Sequence, residues 1–236
     1  MDTVSRRPGI WSRAHYLNKM NFRELVVAYF QYYAIQAYLV CAALAAWAAF
    51  EWTIRPLATL AAALFAVMVY PLAWYLLHRF VLHSNWMFKS PITAGIWKRI
   101  HYDHHQDPHH LEILFGALYT TLPTIFLVTA PLGWLIGGMG GAAAALCGGL
   151  LMTCFYEFCH CVQHLSYKPK NKALVLMKQR HMAHHFQDEK GNFGITNFFW
   201  DRLFNTFYER EERPEKSETV FNLGYTNEVS QRWPWV

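Results

Sequence analysis

The sequence is short of charge. Asp, Glu, Lys and Arg together make up 16% of its 236 residues while 54% are hydrophobic, against about 25% charged in ordinary soluble domains. That deficit argues against a water-soluble globule and for a membrane protein with a sizeable polar portion. Cysteine is sparse and odd in number: Cys41, Cys147, Cys154, Cys159 and Cys161 include no C-x-x-C pair. A disulfide framework and a thiolate zinc site are both excluded on that ground. No H-E-x-x-H occurs, which excludes the corresponding zinc proteases. Glu157-Phe158-Cys159-His160 supplies one Glu-x-x-His and there is no second, so the carboxylate-rich site of soluble di-iron bundles is not expected either. The net charge of +5 comes without a basic helix or an aromatic-basic stripe, so nucleic acid is not a predicted partner. Residues 1–24 carry Arg6, Arg7, Arg13, Lys19 and Arg23 around no isolated apolar core, so no cleavable signal peptide is read there.

What the chain has instead is long uncharged runs. Leu25 to Phe50 and Leu57 to Leu77 are separated by a turn around Arg55-Pro56, and Leu114 to Ile136 and Ala142 to Phe158 by Gly137-Gly138-Met139-Gly140-Gly141. At about 1.5 Å per residue such runs match a hydrocarbon core of about 30 Å. They predict an all-α integral membrane fold, four transmembrane helices in two hairpins. Pro123 and Pro131 fall inside the third run, a position membrane helices tolerate. Of 21 Lys and Arg, only Arg55 lies in the short loops between runs. The positive-inside rule then places residues 1–24, 78–112 and the C-terminal segment in the cytoplasm.

Ten of the 13 histidines fall into four boxes on that same side. His101-Tyr102-Asp103-His104-His105 and His181-Met182-Ala183-His184-His185 have the spacing H-x-x-H-H; His78 and His83 have four residues between them, and His160 and His164 three. Neutral imidazole suits iron, zinc and copper. Ten rings are too many for one ion and fit two, so a dinuclear site is predicted under a cytosolic helical cap. Residues three and four apart share a helix face, but His78 and His83 stand roughly 140° apart on an ideal helix of about 3.6 residues per turn. The helix must end or distort there to aim both at one place. Haem between the helices would need histidines within the runs, and these lie beyond them. His109 and His110 follow a Pro turn and are expected to be non-ligands, as is His15. Glu157 and Asp201 are candidates for orienting a ligand ring rather than binding metal.

As a set, the four boxes resemble those of the fatty acid hydroxylase/sterol desaturase superfamily of membrane di-iron oxygenases. Phe193-Gly194-Ile195-Thr196 with Phe199-Trp200-Asp201-Arg202-Leu203-Phe204-Asn205-Thr206 resembles its C-terminal signature. The likeness covers about residues 70–208. The gap in the first box and the Phe-Gly-Ile-Thr segment look more like lipid fatty acid 2-hydroxylases than sterol desaturases. The resemblance implies that His78, His83, His101, His104, His105, His160, His164, His181, His184 and His185 are all metal ligands, without dividing them between the ions. It implies two Fe ions, with zinc as a replacement in purified samples, and O2 as co-substrate. No catalytic residue is implied beyond the ligands. The expected reaction is hydroxylation of a fatty acyl chain near its carboxyl end; an unactivated C–H bond needs a strong metal-based oxidant made from O2, two electrons and two protons. No cytochrome b5 domain is present in the sequence, so a separate donor is expected, cytochrome b5-like or a ferredoxin with its reductase.

The implied membrane is a bacterial inner membrane or the endoplasmic reticulum, and the division is an N-terminal arm at 1–24, a catalytic domain at 25–208 and a cytosolic tail at 209–236 with no readable motif. Phe198, Phe199, Trp200, Phe204 and Phe207 are expected either to line an acyl channel or to pack the cap onto the helices. Two rivals stand: a sterol or carotenoid desaturase or hydroxylase with the same site, and a non-catalytic membrane metal-binding protein. The second would want ligands along the spans, and Leu57–Leu77 and Leu114–Ile136 contain no histidine or acid.

Overall fold

The computed structural model describes residues 15–236; the first fourteen residues of the expected N-terminal arm lie outside them. Among the described residues there is no strand, only an isolated bridge between Tyr16 and His110. Asn21 opens α1 (Phe22–Gln31) with a capping box, its side chain accepting from the Glu24 amide while the Glu24 carboxylate accepts from the Asn21 amide. These bonds satisfy two amide donors that a helix start otherwise leaves unpaired. The helix stops at Tyr32, which is extended at φ −74° and ψ 129°. The first apolar run is therefore two helices, α1 and then α2 (Tyr33–Trp52).

Arg55 and Pro56 start α3 (Pro56–Leu77), the proline at a first-turn position where its missing N–H costs nothing. Both α2 and α3 pack against α7 (Leu118–His164). The contact faces are small side chains: Ala49 meets Ala143 and Ala144, and Ala62 and Ala66 meet Ala145. Close backbone approach through small residues is how helices associate where lipid removes the hydrophobic drive. The opposite faces carry Trp47, Phe50, Leu57, Met68, Leu127 and Leu135, all exposed, Phe50 by 81% and Leu57 by 84%. Three helical stretches, Tyr33–Trp52, Pro56–Leu82 and Leu111–His164, are long and apolar enough to cross a membrane.

Drawn straight, α7 would exceed twice a bilayer core at about 1.5 Å per residue. It is broken at Gly138, whose φ of 67° and ψ of −150° lie in a region L side chains avoid. The expected five-residue glycine turn is thus a break at one residue. The arms on either side lie against each other: a Cβ on Gly133 would come within 2.4 Å of the Gly141 carbonyl oxygen, and one on Gly149 within 2.6 Å of Thr129.

The polar segments cover one end of these helices. They comprise α4 (Pro91–Trp97), α5 (Asp103–Gln106), α6 (Leu111–Leu114), α8 (Lys172–Phe186), α9 (Phe199–Leu203) and α10 (Asn227–Arg232). Residues 209–236 are part of this body. Leu223, Tyr225, Val229 and Trp233 pack on Met87, Phe88, Trp97 and Tyr102.

Candidate metal centre

Each histidine box sits on a helical end. α3 runs on through a π-helical turn, His78–Leu82, in which the His83 amide donates to the His78 carbonyl at 3.0 Å. This i→i+5 turn is the distortion that the His78/His83 spacing demanded, because it brings residues five apart nearly over one another. A second π-helical turn, Lys98–Tyr102, carries His101 and leads into α5 with His104 and His105. The last turns of α7 hold His160 and His164, and those of α8 hold His181, His184 and His185.

The ten rings gather into two groups of five. His78, His83, His101, His105 and His184 form one; His104, His160, His164, His181 and His185 form the other; within each group the ring nitrogens lie within 4.8 Å of one another. The groups adjoin, since the His105 and His185 ring centroids are 4.3 Å apart. Each H-x-x-H-H box is split. His101 and His105, four apart, go to the first group and His104 to the second; His181 and His185 go to the second and His184 to the first. Residues i and i+4 differ by about 40° around a helix and i+3 and i+4 by about 100°. A box lying along the seam between the groups must therefore divide in this way.

The geometry and electrostatics fit metal binding. Facing Nε2 atoms are separated by 2.8 Å for His83 and His101, 3.2 Å for His78 and His83, 3.1 Å for His104 and His160, and 2.8 Å for His164 and His181. Two nitrogens at right angles on one ion, each about 2.0–2.1 Å from it, stand about 3 Å apart. Burial pushes His83, His101, His104, His105, His181 and His185 well below the ordinary histidine value, and His184 down to about 3. The charged form is desolvated first and then repelled by neighbouring rings, so these imidazoles stay neutral and keep a lone pair for an ion.

Three rings of the first group are oriented by backbone carbonyls. Nδ1 of His78 donates to Phe193 at 2.7 Å, Nδ1 of His184 to Gly191 at 2.7 Å, and Nδ1 of His105 to Val220 at 3.0 Å. A carbonyl only accepts, so each Nδ1 carries the proton and each Nε2 the lone pair. This explains the Phe-Gly-Ile-Thr segment, whose backbone is pinned on both sides. The buried Asp201 carboxylate accepts from the amides of Phe193 and Gly194 and from the Thr206 hydroxyl, all at 2.8 Å. Gln163 donates to the Ile195 carbonyl at 2.7 Å. Asp201 thus acts on His78 at one remove, through the Phe193 peptide. Gly191 and Val220 escaped the sequence reading because a carbonyl acceptor needs no particular side chain.

Glu157 lines the same cavity as six of the box histidines. It is buried, with Oε2 lacking a hydrogen-bond partner among the described residues, and faces this cavity of about 130 Å³. The cavity walls include Trp74, Leu77, Leu82, Ile100 and Leu114 together with His78, His101, His104, His160, His181 and His185. Of the two expectations for Phe198, Phe199, Trp200, Phe204 and Phe207, lining of this cavity is not met, since none of them borders it. Four of them pack the cap: Phe204 stacks on Tyr75 of α3 at 5.5 Å and on Trp200 at 6.2 Å, and Phe198 meets Phe207 edge-on at 5.8 Å, while Phe199 is exposed. His15 and His110 both face the Glu112 carboxylate, at 2.6 and 3.1 Å, and His109 donates to or accepts nothing from the ten rings, its Nδ1 donating to the His164 carbonyl at 3.1 Å. None of the three enters either group.

An all-helical body with membrane-length apolar helices and ten converging imidazoles at one end defines a recognisable class of protein. The chain belongs to the fatty acid hydroxylase family, whose model matches residues 63–206. It is 31% identical over 148 residues to the ceramide very long chain fatty acid hydroxylase of Saccharomyces cerevisiae, covering 60% of this chain and 36% of that one. To the fatty acid 2-hydroxylase of Rattus norvegicus it is 28% identical over 150 residues, covering 63% and 40%. The chain therefore spans well under half the length of these two relatives. The solved structure of full-length scs7p, in which only the hydroxylase domain is visible, superposes with a TM-score of 0.62 at 26% identity, over 78% of this chain and 68% of that one.

Proposed function

We propose that this chain is an O2-dependent hydroxylase that inserts oxygen into a C–H bond of a membrane lipid's acyl chain, near its carboxyl end. The observation that carries this reading is the pair of adjoining five-imidazole groups, six of whose histidines line a largely apolar cavity. The ten histidines are read as ligands of two ions, five to each; the chemistry requires a redox-active metal, and the family resemblance points to iron. Bound there, the metal pair would supply the oxidising power to break an unactivated C–H bond. The break at Gly138 and the contacts between its flanking arms support four spans in two hairpins, with the metal site facing the cytoplasm as the Lys and Arg distribution requires.

The chain's own residues do the rest. Phe193, Gly191 and Val220 hold His78, His184 and His105 with their lone pairs inward. Trp74, Leu77, Leu82 and Ile100, all half-buried, offer an apolar wall along which an acyl chain can lie and which holds water away from the reacting carbon. Electrons would be supplied by a one-electron carrier, cytochrome b5-like or a ferredoxin. The test is lipid analysis of cells with and without the protein, supplied with labelled fatty acid. Acyl chains bearing one added oxygen, dependent on His184, are expected; oxidised sterol with unchanged acyl chains would overturn the assignment.

A further inference from the structure

The last two turns of α8 have two uses. His181, His184 and His185 turn to the ring groups, while Gln179, Met182 and Phe186 line an open cleft of about 790 Å³. The cleft is bordered by Lys168, Lys178, Arg180 and Arg210 against two carboxylates, Glu209 and Glu211. Glu209 is already paired with Arg180, Oε1 to Nη2 at 2.6 Å. Lys170 and Lys172, both exposed, follow Lys168 closely in the chain. Two aromatic rings are also presented there, Tyr167 at 41% and Phe186 at 37% exposure. Aromatic side chains and arginine are enriched where proteins dock.

Phe186 links this surface to the ring groups. Its ring lies 6.3 Å from that of His185 and is stacked on His109 at 6.1 Å, and His109 in turn is 5.8 Å from His164. The cleft is thus separated from the second group by little more than one aromatic side chain. On the described surface, electrons entering at Phe186 would have only that ring and His109 to traverse.

We infer that this cleft docks an acidic one-electron carrier protein, which delivers electrons through Phe186 to the second histidine group. The inference rests on the hydroxylase reading, whose balance is R–H + O2 + 2 e⁻ + 2 H⁺ → R–OH + H2O. The two electrons arrive one at a time from the carrier, which is oxidised as O2 is reduced. Encounters of this kind bury little surface and depend on charge. A positive rim around an exposed ring next to the metal ligands suits an acidic partner. It also gives His109 a place in the path without making it a ligand.

The test uses the full chain loaded with zinc, which binds but cannot turn over, and the acidic haem domain of cytochrome b5 as probe. Lys168→Glu with Arg210→Glu should weaken binding by about tenfold or more and flatten its dependence on salt. Lys89→Glu, a reversal of the same sign away from the cleft, should leave binding unchanged. Phe186→Leu should keep binding but slow reoxidation of the carrier by the iron-loaded protein, with metal content as in wild type. No binding to wild type, or equal binding by the double variant, or equal weakening by Lys89→Glu, overturns the inference. An iron-loaded wild type that reoxidises the carrier but hydroxylates no lipid would sink the hydroxylase reading and leave the docking site standing.

Discussion

Asp201→Ala tests whether a carboxylate that touches no histidine nevertheless holds the metal site together. Asp201 is wholly buried and accepts from three donors, the Phe193 and Gly194 amides and the Thr206 hydroxyl. Burial pushes its carboxyl above the ordinary value, and those three bonds pull the other way by favouring the ionised form. A hydrogen bond to a charged group contributes about 1.5–3 kcal/mol. Two bonds left without replacement would therefore cost about 3–6 kcal/mol, enough to lower the unfolding temperature visibly. The second consequence is local. Released at its amide, Phe193 can no longer hold its carbonyl 2.7 Å from Nδ1 of His78. Loss of such a partner lowers metal affinity by about 10–100-fold. Metal retained per chain should be measured under graded chelator, alongside thermal unfolding. Asp201→Asn, which keeps one acceptor oxygen, should fall between alanine and wild type. If Asp201→Ala holds both metals as tightly as wild type and unfolds at the same temperature, the reasoning is wrong.

Other substitutions bear on the ring groups directly. His184→Ala should lower bound metal and abolish product, whereas His109→Ala should keep both metals, as elemental analysis of each variant would report; a full complement in the first or a lost equivalent in the second contradicts the division made here. Gly191→Ala places a methyl about 2.4 Å from the Thr206 carbonyl oxygen, displacing the carbonyl that orients His184, and should weaken metal binding with little change in helical content by circular dichroism. Acid should also destabilise the metal-free protein. The buried rings have folded values below the ordinary 6.5, so as pH falls below 6.5 the unfolded chain binds protons that the folded chain does not. Each such ring costs about 1.4 kcal/mol per pH unit between its unfolded and folded values. The unfolding temperature of metal-free protein should therefore fall steeply from pH 6.5 downward; a flat profile from pH 7.5 to 5 would show that these rings are not buried neutral.

Helices, their apolar stretches and the identity of the clustering histidines were all legible in the chain, because each is a local property. Charge-free runs report the solvent around a helix, and i, i+3 and i+4 spacings report which side chains share a face. Even the distortion at His78–Leu82 follows from two residues five apart having to face one place. The break between α1 and α2 at Tyr32 was not legible, since nothing in the apolar composition of residues 25–50 marks a single extended residue.

The sequence by itself determined which ten imidazoles would meet and that they would meet at one end of the apolar helices. Only the tertiary structure decided how they divide, because a box on one helix can be split only by where the other three helical ends lie. It also decided that Gly191, Phe193 and Val220 orient three of the rings. Those contacts run through backbone carbonyls, which every residue possesses, so the folded path of the chain selects them and side-chain identity does not.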